Sequence, residues 1–291
     1  MSGEKESNSH HLVSTDWLAA HLGAPGVAIV DASWHMPAAN RSGAQEFLAR
    51  HIPGGVFFDI DAVADPSSGL PHMLPDPVAF ASAMRRLGVG DGMKIVVYDS
   101  LGLFSAPRVW WTFRVFGKRD VAVLDGGLPK WLAEGRPVAE GEPVHQPRHF
   151  TCQFDHGLLA TRDDVSAASR MACEPGAPLI IDARSGARFR GDEPEPRPGV
   201  RSGHIPGSRS LPWDSLVADG RLKPPRELEA VFAAAGHDPA RPVLTTCGSG
   251  VTASIIALAL AALGHESVPV YDGSWCDWGA CPDTPVATGP A

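Results

Sequence analysis

No apolar run in this 291-residue sequence could cross a bilayer: the longest, Ile255 to Leu263, falls far short of the ~20 residues a spanning helix needs. The N-terminus, MSGEKESNSHH, carries acidic residues and no apolar segment, which argues against a secretory signal or an Arg-rich transit peptide. A cytoplasmic setting is the default. Cysteine is sparse: Cys152, Cys173, Cys247, Cys276 and Cys281 form an odd set scattered over the second half, which is not a disulfide framework. These cysteines lack the paired CxxC spacing of a structural zinc site, and the twelve histidines show no HExxH pattern, so no metal is implied. An excess of basic charge is missing too. The net charge of -8 argues against nucleic acid as a partner, because phosphate binding needs a basic surface. Five arginines do cluster between Arg184 and Arg201, but Asp192, Glu193 and Glu195 lie among them, the pattern of a local anion site.

What the sequence has is the balance of a soluble globular protein, 44% hydrophobic and 20% charged, at a length near two ordinary domains. It is also written twice. VAIVDAS at Asp31 recurs as LIIDARS at Asp182, an offset of 151, and HIPGG at His51 recurs as HIPGS at His204, an offset of 153. KIVVYD ending at Asp99 matches PVLTTC ending at Cys247, an offset of 148, and LDGGLPKW at Asp125 matches YDGSWCDW at Asp272, an offset of 147. Offsets this uniform indicate a tandem duplication.

Within each copy, short β-rich apolar runs alternate with helical patterns, the signature of βαβ units, so the fold class is α/β with two mainly parallel sheets flanked by helices. In the second copy, strands are expected over Leu179 to Asp182, Ser208 to Leu211, Val243 to Thr246 and Val268 to Tyr271. Helices are expected over Arg226 to Ala235 and Thr252 to Leu263, the latter capped by Gly264. The stretch from Gly135 to Phe150, with Pro137, Pro143 and Pro147, reads as connecting chain. The expected division is a first domain over 12–145, a linker over 146–158 and a second domain over 159–291.

Cys247 ends an apolar strand and opens CGSGVTAS, which runs directly into a helix. In open α/β sheets, ligands bind at this strand-to-helix turn. Gly248 and Gly250 allow successive amides to point inward, and the helix adds the positive end of its dipole, a cradle that favours a thiolate over a thiol of ordinary pKa about 8.5. Taken alone, a thiol after a strand reads as a buried structural cysteine. The glycines and the helix start shift the balance, and Asp99 at the matching place means that the first copy has lost the nucleophile. A phosphatase would need an arginine six positions after the cysteine, where this chain has Ala253.

CGSGVT over Cys247 to Thr252, with HIPG, LDGGLPKW, YDGSW and APRVWW, resembles the tandem-domain sulfurtransferases of the rhodanese superfamily, in particular those that use 3-mercaptopyruvate. The resemblance covers nearly the whole chain. It implies a persulfide-forming Cys247 in a catalytic second domain, a noncatalytic first domain, no cofactor, and thioredoxin or another thiol as sulfur acceptor. Gly248, Ser249, Gly250, Val251 and Thr252 would line the sulfur-binding loop. The thiosulfate-using relatives typically carry Arg and Lys where this chain has Gly248 and Ser249. Two cations balance a dianion, whereas a hydroxyl suits a thiol-bearing keto acid. Arg188 and Arg197, expected on an extended Pro-rich loop, match two arginines that hold the donor carboxylate and keto oxygen in that family, although by themselves they could be surface arginines paired with Glu193 and Glu195. Asp61 and His72 match positions that work with the loop serine, Ser249, in moving protons; their spacing alone does not demand it. The rival expectations are a thiosulfate sulfurtransferase and a noncatalytic binding module.

Overall fold

A computed structural model describes residues 10–290. The N-terminal stretch read for targeting signals lies outside the described residues through position 9, as does the final residue of the second expected domain.

The duplication appears as two five-stranded parallel sheets of matching strand order. The first contains β1 (Leu12–Val13), β2 (Val27–Asp31), β3 (Gly55–Phe57), β4 (Lys94–Tyr98) and β5 (Val121–Leu124), in the order β1-β5-β4-β2-β3. Its helices are α1 (Thr15–Ala20), α2 (Gly43–Ala49), α3 (Pro77–Arg86), α4 (Ala106–Val115) and α5 (Gly127–Ala133). The second contains β6 (Leu159–Ala160), β7 (Leu179–Asp182), β8 (Arg209–Ser210), β11 (Val243–Thr246) and β12 (Val270–Tyr271), in the order β6-β12-β11-β7-β8. A small antiparallel hairpin, β9 (Val217–Ala218) with β10 (Arg221–Leu222), leaves this sheet after β8. The helices here are α6 (Arg162–Arg170), α7 (Gly186–Arg190), α8 (Pro225–Ala234), α9 (Ala253–Ala262) and α10 (Ser274–Trp278).

The central strands β7 and β11 occupy the expected ranges. Two flanking strands are shorter than expected. Pro269 has no N–H to give a ladder and leaves only Val270–Tyr271 paired, while β8 is an edge strand stopped by Pro212. Helix α9 is apolar on every side and nine of its ten residues are buried, the pattern of a helix enclosed by protein. It packs against α4, whose ten residues are all buried. These two helices, one from each copy, form the seam of a core that includes residues of both sheets. No described helix is long and apolar enough to cross a membrane.

Candidate active site

In the second sheet the chain leaves β7 toward β8 on one side, then returns to place β11 and β12 on the other. The crevice at such a switch point opens at the carboxyl ends of β7 and β11. The loop after β11 starts with Cys247, 2% exposed, and the loop after β7 leads into α7, which carries Arg188. Cys247 is held from below: its amide donates to Ser274 Oγ at 3.3 Å, and that hydroxyl donates to the Tyr271 carbonyl at 2.7 Å. Ser274 makes these bonds from a left-handed backbone, φ 50°, a conformation that costs a non-glycine residue free energy. Its counterpart in the first copy is Gly127, at φ 53°.

The first copy shows what such a loop binds. Asp99, at the place of Cys247, turns its carboxylate into its own loop: Oδ2 accepts from the amides of Phe104, Ser105 and Ala106 at 2.8–2.9 Å, and Oδ1 from Leu101 at 2.9 Å. One anion thus satisfies four backbone donors, two in the loop and two at the start of α4. In the second copy no side chain fills the cradle. Among the described residues, no amide from Gly248 through Ala253 donates to a protein acceptor. Gly250, at φ 79°, makes the turn possible, and Val251 and Thr252 lead into α9 with their carbonyls accepting from Ser254 and Ile255. Gly248 has no positive φ, and Ser249 is 6% exposed.

Two guanidinium groups close in from above. A Cβ built on Gly248 would lie 3.2 Å from Arg188 Nη2, so this cation sits against the cysteine loop. Arg188 is also paired with Glu195, whose Oε1 accepts from Arg184 Nη1 at 2.8 Å. Arg184 is 2% exposed and locked on Asp182 and the Gly203 carbonyl, a structural role, and Arg190 pairs with Asp192 at the surface. Arg197 reaches from its loop to Cys276, with Nη1 3.4 Å from Sγ. One expectation needs correction: Arg188 is on helix α7, not on an extended loop. Ser185 caps that helix by accepting the Arg188 amide, and Gly191, at φ 83°, ends it.

From the first half, His72 Nδ1 stands 2.9 Å from Asp61 Oδ1, an ion-pair contact, and Trp34 Nε1 donates to Asp61 Oδ2 at 3.0 Å. The His72 contact holds the Asp61 carboxyl below the ordinary range against the upward push of burial, and Trp34 and Arg197 assist. His72 is 4% exposed, and its Nε2 has no protein partner among the described residues. No hydrogen bond among those residues joins His72 to Ser249 or Cys247. The link between the loops is Arg108 of α4, which donates to the His72 carbonyl, pairs with Asp272 Oδ1 at 2.6 Å and makes a long 3.5 Å contact with the Gly250 carbonyl. Asp272 Oδ2 in turn accepts the Leu74 amide at 2.8 Å. Sequence reasoning missed Arg108, Asp272 and Ser274, while Glu195, named there as a possible arginine partner, does pair with Arg188. The signals were present, since Asp272 is a duplicated landmark and Arg108 interrupts the apolar APRVWW run.

The residues 14–134 and 165–281 match the family model described as the rhodanese-like domain. A 3-mercaptopyruvate sulfurtransferase of Escherichia coli K12 is 46% identical over 275 residues, covering 94% of this chain and 96% of that one. The thiosulfate sulfurtransferase of Bos taurus is 42% identical over 288 residues, covering 96% and 95%. The crystal structure of SseA from Escherichia coli, from work on the fold and mechanism of 3-mercaptopyruvate sulfotransferases, superposes with a TM-score of 0.84 at 44% identity over 91% of this chain and 98% of that one. Two matched domains, two sheets of like topology and full-length relatives lead to one conclusion: the chain belongs to the rhodanese family.

Proposed function

We propose that this chain is a 3-mercaptopyruvate sulfurtransferase that carries sulfur as a persulfide on Cys247. The observation that carries the reading is a buried Cys247 whose loop amides have no protein acceptor among the described residues, with Arg188 against that loop at Gly248 and Arg197 on the neighbouring Cys276. The donor carboxylate and keto oxygen dock on the two arginines. The Cys247 thiolate attacks the donor sulfur, the carbon–sulfur bond breaks, and its electron pair leaves with pyruvate as the enolate. The enolate carbon is then protonated, with Asp61, His72 and Ser249 handling the proton. The persulfide lies in the cradle of Gly248, Ser249, Gly250, Val251 and Thr252 until a thiol acceptor, thioredoxin in the cytoplasm, takes the outer sulfur. In this division of labour the unit over 12–145 supplies Asp61, His72 and Arg108, and the unit over 159–291 supplies the nucleophile and the arginines, with 146–158 as linker.

Donor choice follows from the loop. Gly248 and Ser249 bring no cation, so the site holds a monoanionic keto acid better than dianionic thiosulfate. The test is intact-protein mass after brief exposure to each donor. The protein should gain one sulfur on Cys247 from 3-mercaptopyruvate far faster than from thiosulfate, and Cys247→Ser should gain none. Equal loading by both donors would overturn the donor assignment, and turnover by Cys247→Ser would overturn the nucleophile.

A further inference from the structure

Cys276 is a buried thiol beside the site that the mechanism above leaves unused. Helix α10 is tied to the cysteine loop by two consecutive backbone bonds: the Trp275 amide donates to the Cys247 carbonyl and the Cys276 amide to the Gly248 carbonyl, both at 2.9 Å. The Cys276 side chain is enclosed, and its Sγ lies 3.4 Å from Arg197 Nη1. Arg197 therefore has two claims on it. It rests on the Cys276 sulfur, and the proposed mechanism assigns it to the donor carboxylate. Burial pushes the Cys276 thiol up, Arg197 pulls it back, and negative charge on Cys247 pushes it up again. Burial keeps the Cys276 thiol above its ordinary range, and the return of Arg197 once pyruvate has gone lessens that penalty on the anion. Cys281 does not share this position, since its Sγ faces Arg162 Nη1 at 3.7 Å.

We propose that Cys276 is a second sulfur-carrying thiol of this active site, taking the outer sulfur from the Cys247 persulfide after pyruvate departs. The proposal rests on the reading of Cys247 as the persulfide-forming nucleophile. The Cys276 thiolate attacks the outer sulfur, and a bond forms between Cys276 Sγ and that atom. The bond from that atom to Cys247 Sγ breaks and leaves its electron pair on Cys247 as thiolate, while the proton released by Cys276 passes to solvent. One thiol and one persulfide become one persulfide and one thiol, so the step needs neither oxidant nor reductant. The outer sulfur projects about 2 Å beyond Cys247 Sγ, the length of a sulfur–sulfur bond, so the gap to cross is smaller than for a direct disulfide. Freed in this way, Cys247 can accept from a second donor while the first sulfur waits beside Arg197.

The experiment loads the full chain with excess 3-mercaptopyruvate and no acceptor, then reads intact mass and maps blocked persulfides. No Lys or Arg follows Arg241, so cleavage at Glu266 and before Asp277 is used to separate Cys247, Cys276 and Cys281. The wild type should gain two sulfurs, the second on the Cys276 peptide. Cys276→Ser should stop at one, on Cys247, and Cys173→Ser should still reach two. Cys247→Ser should gain none. A wild type that stops at one sulfur, a Cys276→Ser variant that reaches two, or a Cys247→Ser variant that loads Cys276 directly would each overturn the relay. If Cys247 itself takes no sulfur in the wild type, the underlying function has failed instead, so the two failures are distinct.

Discussion

Replacing Arg108 tests whether the first copy holds the cysteine loop of the second in its working shape. The Arg108 and Asp272 side chains are 2% and 3% exposed, so each is almost wholly removed from water. In Arg108→Met the Asp272 carboxylate would keep only the Leu74 amide, and the His72 and Gly250 carbonyls would lose their shared donor. Removing one partner of a buried pair costs about 3–5 kcal/mol, most of it from the charge left behind. The unfolding midpoint should therefore fall by on the order of 10 °C, given roughly 2–4 °C per kcal/mol for a chain of this size class. The double variant Arg108→Met/Asp272→Asn removes the orphan charge and should regain at least ~1 kcal/mol. Turnover separates positioning from bulk stability. With the His72 carbonyl deprived of its Arg108 donor and the Gly250 carbonyl keeping only Ser254 Oγ at 3.0 Å, the double variant should remain at least tenfold slow in kcat at a temperature where it is fully folded, a factor equal to ~1.4 kcal/mol of transition-state stabilisation. Arg108→Lys keeps the charge but not the fork, and should fall between the two. Denaturation curves and mercaptopyruvate kinetics on the same preparations check this. A single variant within ~1 kcal/mol of wild type, or a double variant with full turnover, would refute the reasoning.

Arg188→Ala and Arg197→Ala should each lower kcat/KM for mercaptopyruvate by roughly tenfold to a hundredfold, since hydrogen bonds to charged groups contribute ~1.5–3 kcal/mol. Stability should change little, because Arg184 still pairs with Glu195; wild-type kinetics would return either arginine to a surface role. Gly250→Ala should damage turnover more than Gly248→Ala. At Gly250, with φ 79°, the new Cβ would lie 2.6 Å from Arg108 Nη1 and 3.0 Å from the Asp272 carbonyl, whereas at Gly248 it meets only the movable tip of Arg188 at 3.2 Å. Equal tolerance at both positions would show that the loop shape is not set by Gly250. Burial pushes the Asp31 carboxyl up to about 6 against the pull of Ser33 and Tyr98. The folded state then holds this proton more tightly than the unfolded chain does, so the contribution to stability is fully present below about pH 4 and is lost as pH rises through about 6. Relative to wild type, Asp31→Asn should gain about 3 kcal/mol between pH 4 and pH 7, and a flat difference in urea unfolding across that window would contradict the assignment.

The central strands were legible because parallel strands buried on both faces are written as continuous apolar runs, as IVVY in β4 and LII in β7 are. The HIPG landmarks were legible for a different reason: each specifies a local structure that recurs. His51 Nδ1 meets the Phe47 carbonyl at 2.8 Å and His204 Nδ1 meets the Phe189 carbonyl at 2.8 Å, each imidazole stacked on that phenyl ring. Cys247 could be read because glycines and a helix start advertise a cradle. Arg108 stands out as a cation within APRVWW, but its role could not be read, since its partners come from three distant segments and only folding brings them together. Arg188 was misplaced because the prolines after it, Pro194, Pro196 and Pro198, suggested extended chain. The helix before them is set by a serine cap and a left-handed glycine over only five residues, too short to show a period.

The contrast between Asp99 and Cys247 explains why a duplicated fold keeps one reactive copy. Both loops end a central strand and begin the seam helix of their own copy. In the first copy a carboxylate is built in, so the loop amides are satisfied by the chain itself and no ligand can compete for them. In the second, the side chain at that point is a thiol, and the amides from Gly248 through Ala253 have no protein acceptor among the described residues. The first copy is then free to act through other residues. Its seam helix α4 sends Arg108 to the Gly250 and His72 carbonyls, and its loop brings Asp61 and His72 to the same side. A change that emptied the first cradle would leave the amides of Leu101, Phe104, Ser105 and Ala106 without their acceptor, the last two of them buried. The duplication thus divides the fold into a copy whose loop is closed by the Asp99 carboxylate and one that carries the Cys247 thiol in that place.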